Sequence, residues 1–566
     1  MRSTHHPAGG RLHGPVSRRA LLGGATAVAV AGGLGLVGCS GPGASSSASS
    51  VALPDRLRSR QEVIIAMDPS TVKAPFDPVK GFGETGVLPV NSTLVAADDQ
   101  NRIVNDLATE YSVSDDSLTW TFVLRTDAVF SDGTALTAQD VAFTYNKAKE
   151  AAKVTMPGFD RAVAVDDRTV RLVLAKPSST LLNTAATLGI VPAASYDEAS
   201  FASKPIGSGP WRLTDYIQGQ QLILERNDSY YGPKTVFAKA TLLLMEPDAA
   251  LAAAQSGQVD LACVYPSLSN QTVNGFTLRS LPTFGYRAIT LPCQAPGAFE
   301  VEGQQVGNAA TSDPALRRAM AAGVDRQQMI NDSLMGYGTV AFDIFDSFDW
   351  GIKADTASLV DGDVAGAQRV LEDAGWRAGS DGIRAKGGQR ASFQLLYPSN
   401  DSGRQAIAEA FSAQMAPLGI EVEPTSGDFT WQVDHNRSNA VVLGGGRLNP
   451  YHEYTMLHSS LGHSRGWSNI SCYANPIVDG HLDEALAASD QGTAREQWHA
   501  ALWDGTTGGS ILGDAPYVTI CYIVTICSIT HNYFVRDGLG IGTQRVHPHD
   551  HFLQVIHNLG SWGVSA

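Results

Sequence analysis

Only one stretch of this chain is apolar for long enough to enter a lipid bilayer, and it lies at the start. Everything after it must build its core in water. Residues 20–38 form a run of 19 residues, about the length that crosses a hydrocarbon layer as a helix. Six of them are glycines, each costing roughly 1 kcal/mol of helix propensity, which argues against a stable span. Directly before the run, Ser17-Arg18-Arg19-Ala20-Leu21-Leu22 sets two adjacent arginines against the apolar residues, the arrangement of a twin-arginine export signal. The expectation is a leader over residues 1–38 and no transmembrane span in the remainder.

The run ends in Leu36-Val37-Gly38-Cys39, which resembles the lipobox of bacterial lipoproteins. That resemblance implies cleavage before Cys39 and a diacylglyceryl group on its sulfur. The bland alternative, a buried free cysteine after a signal anchor, does not account for arginine pair, apolar run and lipobox standing in this order. Residues 39–53 then read as a tether, because the Ser-, Gly- and Ala-rich stretch 40–50 is too small and polar to bury anything. The expected location is extracytoplasmic, at the cell membrane, with the lipid as the membrane contact.

The 528 residues from Cys39 onward suggest several domains or one large discontinuous assembly. Hydrophobic residues at 43% and charged ones at 17% allow a large core. Loss of residues 1–38 removes Arg2, Arg11, Arg18 and Arg19 and no acid, which takes the formal charge from −15 to −19. Such a body repels phosphate backbones, so nucleic acid is not an expected partner. Cys263, Cys293, Cys472, Cys521 and Cys527 form no CxxC pair, and ordinary buried cysteines are expected. On one straight strand Cys521 and Cys527 would share a face but lie too far apart to bond.

Strand-like and helix-like stretches alternate through the middle of the chain, which predicts α/β layers. Residues 118–124 read as a strand, and Asp132-Gly133 as a turn needing positive φ. Thr137 and Asp140 read as a variant capping box before a helix through Val141, Phe143 and Tyr145. Residues 365–374 and 402–418 are helix-like, with Gly375 and Gly419 as stops.

Residues 107–116 and 130–141, followed by Gly207-Ser208-Gly209-Pro210-Trp211, residues 224–232 and 254–260, Ala315-Leu316-Arg317-Arg318-Ala319-Met320 with Val324-Asp325-Arg326, and residues 371–376, together resemble family 5 of the bacterial extracellular solute-binding proteins. This is the oligopeptide, dipeptide and nickel group. The resemblance runs over roughly residues 60 to 490 and implies a two-lobed periplasmic-binding-protein-like clamshell. Its first lobe is discontinuous and carries an extra subdomain: 54–275 plus 525–566, with the subdomain at 91–204, and lobe two at 276–524. It implies no enzymatic activity and no cofactor. It also implies a monomeric receptor that hands a small ligand to the permease and ATPase subunits of an ABC importer. Turns, caps and Gly-Pro bends in these blocks set backbone geometry, so they identify the scaffold and not the cargo.

No histidine occurs from residue 40 to 434, whereas eleven fall between His435 and His557. Imidazole suits nickel, zinc and copper, and two groups stand out. One is His452, His458 and His463; the other is His547-Pro548-His549-Asp550-His551. A solvated surface role is the competing reading for both. The second group resembles the carboxy-terminal segment of nickel-binding members of the same family, where one protein histidine completes the coordination of nickel held by a small chelator. By that resemblance His549 and His551, then His547, are the metal candidates, with nickel as cargo.

Peptide binding is the alternative. Peptide binders of the family hold the α-amine with an aspartate in a stretch that corresponds to residues 443–450, and no aspartate occurs there. Arg447 suits a carboxylate, and Asn449, Tyr451 and His452 complete the candidate ligand residues. A third possibility, an exported metallohydrolase, lacks HExxH spacing: after His452-Glu453 the next histidine is His458, two residues too late.

Overall fold

The computed structural model describes residues 57, 59–69, 76–81, 89–98, 102–446, 449–524, 532–541 and 554–564. Among these, no helix is long and apolar enough to cross a membrane. Cys39 and the tether lie outside them.

A seven-stranded sheet has the order Phe276–Arg279, Asn532–Arg536, Leu261–Val264, Glu62–Met67, Lys239–Leu244, Gln221–Arg226 and Trp211–Ile217. Glu62–Met67 runs parallel to both of its neighbours, and the remaining pairs are antiparallel. Val63 and Ile65 point into one core with Trp211, Leu242 and Val535. Ala66 and Phe534 point into another, beneath the helix Pro247–Gln255. Because both faces are covered, the central strands are almost uniformly apolar.

Asp260 explains one block of the resemblance. It is fully buried and bonds Arg536 Nε at 2.8 Å, Arg60, and the backbone N–H of Ile64 at 2.9 Å. It therefore ties the first strand to the strand returning from the carboxy-terminal end. The sheet also shifts a predicted boundary. Phe276–Arg279 pairs with Asn532–Arg536, so the chain leaves this sheet after Arg279 and not between 275 and 276. Its residues alternate half-buried and exposed, as an edge strand requires.

A six-stranded sheet follows the order Gly338–Val340, Tyr517–Val524, Pro282–Thr290, Ala440–Gly445, Ser392–Pro398 and Glu421–Gly427. One face packs on the helices Pro314–Gly323, Arg326–Leu334 and Ser402–Met415. The other packs on Tyr451–Leu457, Pro476–Ala487 and Gln491–Leu502. Arg326, fully buried, donates to Thr519 O at 2.8 Å and pairs with Asp361 at 3.0 Å, so this residue of the Val-Asp-Arg block is a structural staple.

A third body is built on the sheet Ala108–Val113, Thr119–Leu124, Thr169–Leu174 and Phe159–Ala164. It packs on the helix Ala138–Ala151 around Phe122, Leu172, Val141 and Tyr145. The capping box is present: Thr137 N–H donates to Asp140 at 2.9 Å, and Gly133 has φ +87°. Gly375 (φ +88°) and Gly419 (φ +73°) stop the helices before them.

Candidate functional site

The strands Pro282–Thr290 and Ala440–Gly445 place Tyr286 opposite Gly445. A Cβ on Gly445 would stand 3.1 Å from the Tyr286 hydroxyl, so the glycine makes room for the phenol. Tyr286 Oη lies 3.2 Å from His452 Nε2, and Phe345 packs edge-on against the same imidazole with ring centroids 5.8 Å apart. His452 is thus held between two aromatic side chains, half-buried, one turn from Thr455, whose hydroxyl donates to its carbonyl at 2.7 Å.

The neighbouring candidates serve the local backbone. Asn449 Oδ1 accepts the N–H of Tyr451 at 3.0 Å, which satisfies a free donor at the start of the helix Tyr451–Leu457. Tyr451 stacks on Tyr454 at 5.3 Å. Glu453, on the same helix, entered the sequence reading only through the rejected HExxH spacing. It is fully buried and accepts from Trp350 Nε1 at 3.1 Å. Burial, and then the charge of Asp343, push its carboxyl well above the usual carboxylate range. Asp343 is itself fully buried with Tyr517 Oη at 3.3 Å, and burial raises it likewise. The signal was present in Phe342-Asp343-Ile344-Phe345-Asp346, where acids alternate with large apolar residues.

Trp350 also lines a cavity of about 410 Å³ between the third body and the six-stranded one. Arg102, Tyr111 and Asn183 form one wall; Phe348, Asp349 and Trp350 with Gln491, Arg495 and Trp498 form the other, and Pro450 reaches the rim. Arg495 Nε pairs with Asp349 at 2.8 Å. Three hydrogen bonds close the two walls on each other. Ser179 donates its N–H to Leu486 O at 2.9 Å and its hydroxyl to Ala485 O at 2.8 Å, and Gln491 donates to Ser179 O at 2.9 Å.

The other described histidines do not join His452. His458 stacks on Tyr454 at 4.3 Å and approaches Asp483 at 3.4 Å, while His463 packs on Phe299 at 4.4 Å. Each is held by its own neighbours, and among the described residues no three His, Cys, Asp or Glu are placed to hold a metal ion. His452, His458 and His463, grouped in the sequence, are thus held apart by different neighbours. Arg447, His547, His549 and His551 lie outside the described residues.

Two walls closed over an aromatic, charged cavity suit capture of a solute, and known proteins agree. Residues 102–467 match the profile of the bacterial extracellular solute-binding proteins, family 5 (middle region). Protein XP55 of Streptomyces lividans is 33% identical over 492 residues, covering 82% of this chain and 84% of that protein. The oligopeptide-binding protein AppA of Bacillus subtilis is 26% identical over 454 residues, 76% of this chain and 80% of its own. The crystal structure of NikZ from Campylobacter jejuni with Ni(L-His) superposes with a TM-score of 0.72 at 20% identity, covering 89% of this chain and 99% of that one. Two lobes, built on the seven- and six-stranded sheets, form the α/β clamshell these proteins share. The chain belongs to family 5 of the bacterial extracellular solute-binding proteins, the extracytoplasmic receptors of ABC importers.

Proposed function

We propose that the chain captures a short peptide for import and stays beside its permease and ATPase through a lipid on Cys39. The observation that carries this reading is the content of the 410 Å³ cavity. The Arg495–Asp349 pair and Arg102, itself paired with Asp98, bring both signs of charge to its wall, and Tyr111, Phe348, Trp350 and Trp498 offer ring faces. A peptide uses both, pairing its charged ends in a partly dry site and laying apolar side chains on rings. The volume falls in the range of small-solute sites, about 300–1,000 Å³. AppA, among the relatives, carries the name of an oligopeptide-binding protein.

Isothermal titration of the purified protein with di- and tripeptides tests the proposal. One-to-one binding accompanied by a change in tryptophan fluorescence is the expected result. No heat with any short peptide, together with clear heat for nickel–histidine, overturns it.

His452 favours a second reading, a nickel–chelator complex completed by one imidazole, since its helix begins beside the cavity rim at Pro450. The carboxy-terminal histidines belong to the same reading. His452→Ala and a combined His549→Ala, His551→Ala variant separate the two: whichever abolishes nickel–histidine binding names the ligand, and if neither does the nickel reading falls.

A further inference from the structure

Trp350, buried in the wall of the 410 Å³ cavity, is held from three sides. Its indole N–H donates to Glu453 Oε2 at 3.1 Å, and its ring stacks on Phe348 with centroids 4.5 Å apart. Its carbonyl accepts from His499 Nδ1 at 3.2 Å. His499 Nε2 also stands 3.5 Å from Asp355 Oδ2, and Arg495, one turn earlier on the helix Gln491–Leu502, pairs with Asp349 at 2.8 Å. Segment 348–355 is thereby clasped to the helix whose Gln491, Arg495 and Trp498 line the same wall.

Two of these contacts change with a proton. A carbonyl and a carboxylate only accept, so His499 donates to both at once only as the imidazolium. Imidazole is the side chain that takes up its charge between about pH 5 and 8. The neutral ring keeps the bond to Trp350 and loses the ion pair. Glu453 acts in the same direction. It is fully buried, and its second oxygen has no hydrogen-bond partner among the described residues. Burial, and then Asp343, raise its carboxyl, so its proton favours the wall in place, and rising pH favours an opening that wets it.

The charged and titratable neighbours leave that direction unchanged. Asp343 and Tyr517 lie beside Glu453, and Arg495 is engaged by Asp349. Lys353 lines a second cavity, of about 320 Å³, together with Asp346. His481, on the helix Pro476–Ala487, bonds Gln497 at 2.7 Å, two positions from His499 and so about half a turn round the helix.

We propose that segment 348–355 is a proton-dependent strap: protonated His499 and Glu453 hold Trp350 in the cavity wall, and loss of these protons as pH rises loosens that wall. This rests on the reading of the cavity as the solute site, whichever solute it takes.

Hydrogen–deuterium exchange of the full-length protein without solute, at about pH 5.5 and about pH 7.5, tests the strap once each rate is divided by the intrinsic amide rate. Corrected exchange over 348–355 is expected to be about two- to fivefold faster at the higher pH, the worth of one half-exposed ion pair. The central strand Ala440–Gly445 should show no such change. His499→Asn keeps a donor for the Trp350 carbonyl but cannot gain charge, and it is expected to lose most of the difference. Asp355→Asn, at an exposed position, should do the same with the imidazole intact. Glu453→Gln added to His499→Asn should abolish what is left; where that double variant fails to fold, the two single variants carry the test. No pH difference in the natural protein, or the same difference in His499→Asn, overturns the strap and leaves the peptide reading standing. A strap that behaves as expected while short peptides give no heat overturns the peptide reading alone.

Discussion

Gln491 donates its side-chain amide to the carbonyl of Ser179 at 2.9 Å, joining the six-stranded body to the third one through residues 312 positions apart in the chain. With the two bonds that Ser179 gives to Ala485 and Leu486, it latches the walls of the 410 Å³ cavity. Gln491→Ala removes one of the three bonds and keeps Asp490 as the cap of the helix Gln491–Leu502. A net loss of about 0.5–1.5 kcal/mol from the closed state corresponds to roughly two- to tenfold weaker binding. Stopped-flow tryptophan fluorescence should place the loss in faster ligand release, with the melting temperature little changed.

Glu453 makes stability depend on pH. Its carboxyl is raised in the folded protein, so the folded state binds the proton more tightly than the unfolded chain. The stability from this group is full below the ordinary carboxylate range and is lost as pH rises toward the raised folded value. Glu453→Gln removes the titration and keeps an acceptor for Trp350. Thermal melts between about pH 5 and 8 should show a flatter dependence for the variant, with its advantage growing as pH rises.

Gly444 is required by two buried cations. A Cβ there would collide with Arg287 Nη1 and stand 2.9 Å from Arg404 Nη2, and both arginines are buried. Moving a guanidinium off its place in a packed interior costs about 1–3 kcal/mol. Gly444→Ala should lower the unfolding free energy from urea denaturation by that amount, whereas alanine at Gly480, with nothing within 4 Å of its Cβ position, should not.

Asp140 holds two segments of the third body. One oxygen accepts from Thr137 N–H at 2.9 Å and the other from Ala193 N–H at 2.8 Å. Asp140→Ala should cost about 1–2 kcal/mol in chemical denaturation, and Asp140→Asn less, because one acceptor survives.

What was legible before folding was what neighbours a few residues apart decide. The capping of 138–151 by Thr137 and Asp140, the turn at Gly133 and the stops at Gly375 and Gly419 depend on local φ/ψ preferences and hydrogen bonds within a turn. Ordered blocks of such signals were enough to indicate the family. The edge strand at 276–279 was missed because its value lies in a partner that returns only at 532–536.

The candidate site was read only in part for the same reason. A histidine-rich carboxy-terminal third draws attention to imidazoles by composition, yet His452, His458 and His463 each pack against different aromatic rings. Composition shows which groups are present and not which way they face. Thus sequence by itself determined the α/β layering and the family. Tertiary structure alone decided that Glu453 meets Trp350 across 103 positions, that Ser179 meets Gln491 across 312, and that His499 meets Trp350 across 149. Long-range packing sets burial, and burial is what turns an ordinary carboxylate or serine into part of a site.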